Sequence, residues 1–170
     1  MIYSIVKYGD PVLETQAATV TEFDTPELQK LLDDMFESMY AAKGVGLAAP
    51  QIGIGRRIAV VDLSVGEDPE KRIVLINPEV IEKEGSQVSE EGCLSLPGFR
   101  EQVMRPFKVT VRAQDAKGKT FEHTGEELLA RAFAHEIDHL NGRLYINHVS
   151  ALKRDLMRRK IRKLTKTGEW

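Results

Sequence analysis

Residues 134–140 read Ala-His-Glu-Ile-Asp-His-Leu, near the end of a predicted helix. In an α-helix, positions four apart lie about 40° apart around the axis and about 6 Å along it. His135 and His139 therefore project from one face, where two imidazoles can bind one metal ion. Glu136 lies about 100° round from His135, where its carboxylate can reach a water molecule beside that ion. The alternative is two ordinary surface histidines and a solvated glutamate, but chance gives this pattern in roughly one such chain in a few hundred.

The helix that carries this motif is predicted to span about 126–141. Its apolar residues form one stripe, made by Leu128, Leu129, Ala132, Phe133, Ile137 and Leu140. Glu136 falls inside the stripe, and a carboxylate on a buried face requires a partner or a function. Asp138 is expected to support the site from outside it or to be an exposed acid of the helix, with a salt bridge as the alternative.

Cys93 is the only cysteine of the chain, within the sequence Glu-Gly-Cys-Leu-Ser at 91–95. A lone cysteine is usually a small buried hydrophobe. Two histidines, however, leave a metal site incomplete, and a thiolate with two imidazoles leaves the open position that catalysis requires. Cys93 is therefore the expected third ligand. One cysteine also forms no intramolecular disulfide, which fits a reducing cytosol.

Residues 44–53 read Gly-Val-Gly-Leu-Ala-Ala-Pro-Gln-Ile-Gly and predict a loop of small apolar residues. Such a loop lets a ligand approach the backbone closely, and Gln51 is its only polar side chain. The spacing of a phosphate-binding or dinucleotide-binding loop is absent. The alternative is a tightly packed connection in which Gln51 only bonds to backbone.

The order of predicted elements indicates an α+β fold. After an irregular arm over 1–23, a helix is predicted to begin at Asp24 or Thr25, with Pro26 in its first turn, and to end at Gly44. Short apolar runs then predict strands at 57–63, 72–76, 80–84, 86–90, 107–112 and 120–123, with 80–84 pairing with 86–90 and the last two forming a hairpin. We expect antiparallel sheets around a central metal-binding helix, with an N-terminal and a C-terminal helix, in a single domain over 1–170.

A basic amphipathic helix is predicted over 151–166. It carries Lys153, Arg154, Arg158, Arg159, Lys160, Arg162, Lys163 and Lys166, against the single acid Asp155. This pattern is either the solvated face of a packed helix or a dock for RNA or another acidic surface. The net charge of −2 argues against a generally basic nucleic-acid-binding protein.

The location expected from the sequence is cytoplasmic, with an organellar location left open. Residues 1–7 lack the apolar core of a signal peptide. No apolar run approaches the roughly 18 residues of a membrane-spanning helix, so no membrane partner is expected. The chain is expected to be a monomer.

Taken together, residues 44–51, 91–95 and 135–139 resemble the three motifs of the peptide deformylase family, in the family's order and at similar separations. The resemblance covers essentially the whole chain, with Ala134 standing where relatives often carry glutamine. It implies a hydrolase that removes the formyl group from the initiating methionine of newly made proteins. It also implies Cys93, His135 and His139 as ligands of one divalent metal, by family resemblance Fe²⁺, although these donors also suit Zn²⁺, Ni²⁺ and Co²⁺.

The resemblance extends to the remaining site residues. Glu136 is the implied general base and later proton donor, and the oxyanion is stabilised by the Gln51 side-chain amide and the Leu94 backbone N–H. The backbone of Val45 and Gly46 pairs with the formyl-methionyl peptide as an added strand. The methionine side chain is bordered by Glu91, Leu128 and Arg131 or Ala132, and Arg100 orients the Glu91 region. The C-terminal basic helix is the implied contact with the ribosome.

Two other classes compete with this interpretation. A zinc endopeptidase shares the helical motif, but Tyr145 stands where an extended motif requires histidine, and Glu169 is the only glutamate after Glu136. A non-catalytic metal-stabilised module would normally have a fourth protein ligand, and no second cysteine exists. His123 and His148 are expected to be ordinary surface or capping residues.

Overall fold

A computed structural model describes all 170 residues and has a mixed α+β architecture. Three α-helices are present, α1 (Pro26–Ala41), α2 (Leu128–Leu140) and α3 (Ala151–Lys166). The seven strands are β1 (Gly46–Ala48), β2 (Ile58–Val61), β3 (Ile73–Glu84), β4 (Gln87–Gly92), β5 (Arg100–Arg105), β6 (Lys108–Gln114) and β7 (Thr120–Glu126). The expected fold class is confirmed, and α3 has the predicted bounds.

Five strands form an antiparallel sheet in the order β1-β2-β3-β6-β7, which places β1 at one edge. Both faces of this sheet are covered. Ala59 and Val61 of β2 belong to a buried cluster with α2, whereas Ile58 and Val60 of the same strand belong to a cluster with α1. Alternation along the strand therefore sends successive side chains into two different cores.

Strands β4 and β5 form a separate two-stranded sheet. The segment that joins them contains Cys93 and Leu96, and Leu96 is buried in a third cluster with Met157 and Ile161 of α3. The connection after β4 is thus held between the helix α2 on one side and α3 on the other. Helix α3 buries only one face, which agrees with its amphipathic pattern.

Strand β3 differs from the prediction. The sequence predicts separate strands at 72–76 and 80–84, but β3 runs through Asn77 and Pro78, with one register shift against β6 across these two residues and a second after Val80. Asn77 adopts a left-handed φ of 50°, and its side chain accepts from the Val20 N–H and donates to the Val20 carbonyl, at 2.8 and 2.9 Å. These bonds stabilise a bulge where the sequence suggested an end.

Two other sequence predictions are wrong. Residues 80–84 pair with β6 and not with 86–90, because the left-handed Gly85 leads the chain out of the first sheet into the second. Helix α1 ends at Ala41, before the predicted Gly44, and the left-handed residue after it is Lys43, with φ 59°. Its start agrees with the sequence, since the Thr25 side chain accepts from the Leu28 N–H.

The N-terminal arm is irregular as predicted, apart from a short 3₁₀ helix at Pro11–Glu14. Its backbone supports the site described below, because the Val6 N–H donates to the Gln51 carbonyl at 2.7 Å and the Tyr8 N–H donates to the Ser95 carbonyl at 2.8 Å.

None of the helices combines the length and the apolar character needed to cross a lipid bilayer.

Candidate metal centre

Helix α2 places its two histidines beneath the connection that follows β4. The apolar stripe of α2 packs on the sheet, which fixes the rotation of the helix and turns His135, Glu136 and His139 toward Cys93. Glu136 and His139 are buried, and Cys93 and His135 are half-buried. The three candidate ligands thus come together from segments more than 40 positions apart in the sequence.

The donor atoms of Cys93, His135 and His139 fit a tetrahedral metal ion. The Cys93 Sγ lies 3.4 Å from the His139 Nε2, and the two Nε2 atoms are 3.2 Å apart. All three donor atoms lie within 4.8 Å of one another. A tetrahedral Zn²⁺-like ion with ordinary bond lengths requires about 3.6 Å between sulfur and nitrogen and about 3.3 Å between two nitrogens. The sequence-predicted donor set is therefore assembled with the spacing that a bound ion requires.

The group has no fourth protein ligand, since no further histidine or carboxylate joins Cys93, His135 and His139. Burial lowers the pKa of His139, and its ring is kept neutral, the form that binds metal. Tyr145, at the position where a protease of the extended motif has histidine, is fully buried with its ring stacked 6.5 Å from that of His135. The protein therefore lacks the fourth ligand of a closed structural site, and it also lacks the third histidine of the extended protease motif.

A buried carboxylate orients His135. The His135 Nδ1 lies 2.9 Å from Oε1 of Glu91, so an N–H on Nδ1 leaves Nε2 free for a metal. Arg105 binds the same carboxylate with two hydrogen bonds of 2.9 and 3.0 Å. Burial opposes ionisation of Glu91, but the hydrogen bonds from His135 and Arg105 lower its pKa to about 2.

Sequence reasoning missed Arg105. Arg100, which was expected to orient the Glu91 region, donates to the neighbouring Glu90 at 2.8 Å. Arg105 instead lies with its side chain only 3% exposed, and it also donates to Asp138 at 2.6 Å. The arginine that holds Glu91 is thus five positions further along β5.

Asp138 and His148 complete this network on the far side of Arg105. The His148 Nε2 lies 2.8 Å from Asp138 Oδ2, so Asp138 joins two basic groups, as the salt-bridge alternative predicted. His148 is not an isolated surface residue, although one face of it is exposed. His123 packs edge-on against Phe133, with ring centroids 5.4 Å apart, and takes no part in the site.

Glu136 lies against the backbone of β1. Its side chain is buried and its Oε1 has no hydrogen-bond partner in the protein. Burial raises the pKa of Glu136 to about 7. A Cβ added to Gly46 would lie 2.5 Å from the Glu136 Oε2, so only glycine at position 46 lets the carboxylate occupy this place.

Gln51 is buried in a short 3₁₀ helix, Ala49–Ile52, with its amide directed at the cluster. The Gln51 Oε1 accepts from the Ala48 N–H at 3.0 Å, and this bond turns the Nε2 toward the Cys93 Sγ, at 3.6 Å. Nε2 also donates to the Ser95 Oγ at 3.3 Å. The Leu94 N–H donates to no acceptor in the protein. Two N–H donors therefore lie beside the candidate metal site. The Gln51 amide is held in place by its hydrogen bonds, and the Leu94 N–H has no acceptor.

A cleft of about 520 Å³ opens over the cluster. It contains every residue for which the sequence predicted substrate binding, namely Val45, Gly46, Glu91, Arg100 and Leu128, together with Arg131 and Ala132. The free edge of β1 forms one wall. Because the Val45 carbonyl accepts from Asp62 of the β2 side at 2.8 Å, alternation turns the N–H and C=O of Gly46 away from β2 and toward the cleft.

Comparison with known proteins agrees with this geometry. The profile described as polypeptide deformylase matches residues 2–155. The peptide deformylase of Acidobacterium capsulatum is 64% identical over 170 residues, which are 100% of this chain and 99% of that protein. The peptide deformylase of Thermodesulfovibrio yellowstonii is 51% identical over 95% of this chain and 97% of its own length.

Solved structures agree as well. The crystal structure of a peptide deformylase from Legionella pneumophila superimposes with a TM-score of 0.90 at 47% identity, and covers 99% of this chain and 98% of that chain. Both sequence and structure match along the whole chain, and the resemblance stated from three motifs is confirmed. The chain belongs to the polypeptide deformylase family, metal-dependent enzymes that remove the N-terminal formyl group from newly made peptides.

Proposed function

We propose that Cys93, His135 and His139 hold one divalent metal ion and that Glu136 is the acid–base group of the deformylation reaction. The observation that carries this proposal is the convergence of one Sγ and two Nε2 atoms beside a buried carboxylate, under a cleft open to a peptide. A bound ion would supply Lewis-acid activation of the formyl carbonyl and of water.

Glu136 is assigned both proton transfers. It takes a proton from the attacking water, a C–O bond forms at the formyl carbon, and the C–N bond then breaks. Glu136 returns the proton to the departing nitrogen, which gives a neutral amine and formic acid. The remaining proton of the formic acid then passes to the amine, so that formate and an N-terminal ammonium group leave and the charges balance. The buried position against Gly46 and the unpartnered Oε1 support this role.

Gln51 and Leu94 are assigned to the oxyanion. The Gln51 Nε2 is held by the Ala48 bond, and the Leu94 N–H is free to donate. Donors fixed before the reaction need no reorganisation when charge develops, and each such donor typically lowers a barrier by about 3 kcal/mol. The N-terminal arm supports this region, since the Val6 N–H donates to the backbone carbonyl of Gln51 and the Tyr8 N–H donates to that of Ser95, the residue after Leu94.

The substrate backbone is assigned to the free edge of β1. The N–H and C=O of Gly46 would bond to an extended formyl-methionyl peptide as a neighbouring strand would. The methionine side chain would then lie among Glu91, Leu128 and Ala132, which line the cleft next to His135.

For the metal we propose Fe²⁺, because the mixed thiolate and imidazole donor set suits this ion and the family resemblance favours it. Protein loaded anaerobically with Fe²⁺ should release formate from a formyl-Met-Ala-Ser peptide. The Cys93→Ala variant should lose most of its metal affinity and nearly all of its activity, because a two-histidine site lacks the thiolate. Formate release and bound metal per chain are the measurements.

Chelation separates an enzyme from a metal-stabilised module. A protein with a catalytic site should lose formate release while its circular dichroism spectrum at 25 °C stays that of the folded protein, and added metal should restore the activity. Unfolding upon chelation would support a structural metal. Equal activity of the Cys93→Ala variant would contradict the ligand assignment.

We also propose that the exposed face of α3 docks on ribosomal RNA. Leu152 and Leu156 are 70% and 54% exposed amid the basic residues, while Met157 and Ile161 anchor the opposite face. An Arg159→Glu/Lys163→Glu variant should weaken cosedimentation with ribosomes about tenfold at low salt, because two phosphate contacts are reversed in sign. A Lys83→Glu/Lys117→Glu variant, matched in net charge, should bind like the wild type, and equal binding by all three proteins would rule out this dock.

A further inference from the structure

Lys43 is the basic residue of the cleft whose side chain has no partner. Arg100 pairs with Glu90, and Arg131 donates to Ser89, but the Lys43 ammonium makes no ion pair or hydrogen bond within the protein. Lys43 nevertheless lines the same cleft as Gly46 and Glu136. An exposed charge at the mouth of a binding cleft is placed to act on a ligand.

The backbone holds Lys43 in a fixed relation to β1. Lys43 has a left-handed φ of 59°, and its N–H donates to the Tyr40 carbonyl at 3.0 Å. The next N–H, of Gly44, donates to the Met39 carbonyl at 3.0 Å. These two bonds close the end of α1 and fix the direction in which the chain enters β1.

The position of Lys43 along the cleft follows from the burial of the wall. Gln51 is 1% exposed at the inner end, Gly46 is half-buried against Glu136, and Lys43 is exposed at the mouth. A peptide with its formyl group beside Glu136 must therefore run outward from Gly46 past Gly44. Three residues of extended chain cover about 10 Å, so the third residue of the peptide lies beside Lys43.

We propose that Lys43 is a specificity-determining residue that favours an acidic side chain at the third position of the formyl-methionyl substrate. This inference rests on the proposed function, since it assumes that the peptide extends along β1. The opposite wall does not offer an equal free charge, because Arg100 is already paired with Glu90 at 2.8 Å. The preference is electrostatic and does not require a shaped pocket.

The test compares three C-terminally amidated peptides, formyl-Met-Ala-Glu, formyl-Met-Ala-Gln and formyl-Met-Ala-Lys, by kcat/KM at low ionic strength. The wild type should favour the Glu peptide over the Lys peptide by about fivefold, the size expected of an exposed charge pair. Lys43→Gln should remove the preference and Lys43→Glu should reverse it. Added salt at about 0.5 M should suppress the preference, since screening then acts within a few ångströms.

Lys117→Glu is the matched control, because it makes the same change of charge in a turn away from the cleft. It should keep the wild-type preference. A Glu-to-Lys ratio that is the same in the wild type, Lys43→Gln and Lys43→Glu would overturn the assignment of Lys43 while turnover of the Gln peptide upheld the proposed function. Absence of formate release from all three peptides would overturn both.

Discussion

A Glu136→Gln variant is expected to lose about 10³-fold in kcat, within the range ascribed to general acid–base catalysis, and still to bind one metal ion per chain. Glutamine has nearly the same shape as glutamate, so the close contact with Gly46 is preserved. Its amide, however, takes no proton from water. The measurements are kcat for a formyl-Met peptide and metal content, on the same preparation.

A Glu126→Gln variant is the control for this prediction. Glu126 lies on β7 with an exposed carboxylate, so the same chemical change should leave kcat within about twofold. Full activity in a Glu136→Gln variant that retains its metal would exclude Glu136 as the acid–base group. Loss of the metal would instead assign Glu136 to metal binding.

An Arg105→Met variant is expected to be destabilised by about 3–5 kcal/mol, because it leaves the buried Glu91 and the half-buried Asp138 without their shared cation. Methionine fills much of the volume of the arginine stem, so the loss is electrostatic and not a simple cavity. The free energy of unfolding in urea is the measurement. The variant should also bind metal more weakly, because Glu91 orients His135.

The same strand provides the control. Arg100 forms a single bond to Glu90, with both side chains more than half exposed, and Arg100→Met should change the free energy of unfolding by about 1 kcal/mol or less. Equal effects of the two substitutions would mean that the buried network contributes no more to stability than a surface pair.

The candidate metal-binding cluster could be predicted because its evidence is local and rare. Two histidines four apart on a helix meet whatever the rest of the fold does, and a glutamate inside an apolar stripe indicates a buried carboxylate. The prediction of Cys93 needed one further step, because it depended on the argument that two histidines leave a metal site without its third ligand. The start of α1 at Thr25 and both bounds of α3 followed from caps and periodicity in the same way.

Arg105 could not be predicted because its environment is set by pairing between strands. Arg100 and Arg105 both lie on β5, and only the register of β5 against β4 determines that Arg105 faces α2 while Arg100 faces outward. The run 100–105 contains few apolar residues and gave no strand signal. A signal that could have identified it is the need of the buried Glu91 for a cation.

The long strand β3 was missed for a similar reason. Asn and Pro in sequence usually end a strand, and here the stop is overridden by contacts from a distant segment. The Asn77 side chain takes the place of a strand partner for Val20. The strand preferences of residues 77 and 78 reflect only their local chain, whereas the bulge is stabilised by Val20, which lies far away in the sequence.

The exposed edge of β1 has a consequence for which proteins can be processed. A free strand edge ordinarily pairs with strands of other chains, but this one is three residues long and lies inside a cleft that residues 96–100 also line. We expect a single extended chain, entering by its end, to reach this edge more readily than a strand that is already paired in a folded sheet. Selection would then depend on whether the first residues of a polypeptide are still unfolded, and folded proteins with an ordered N-terminus should be poor substrates.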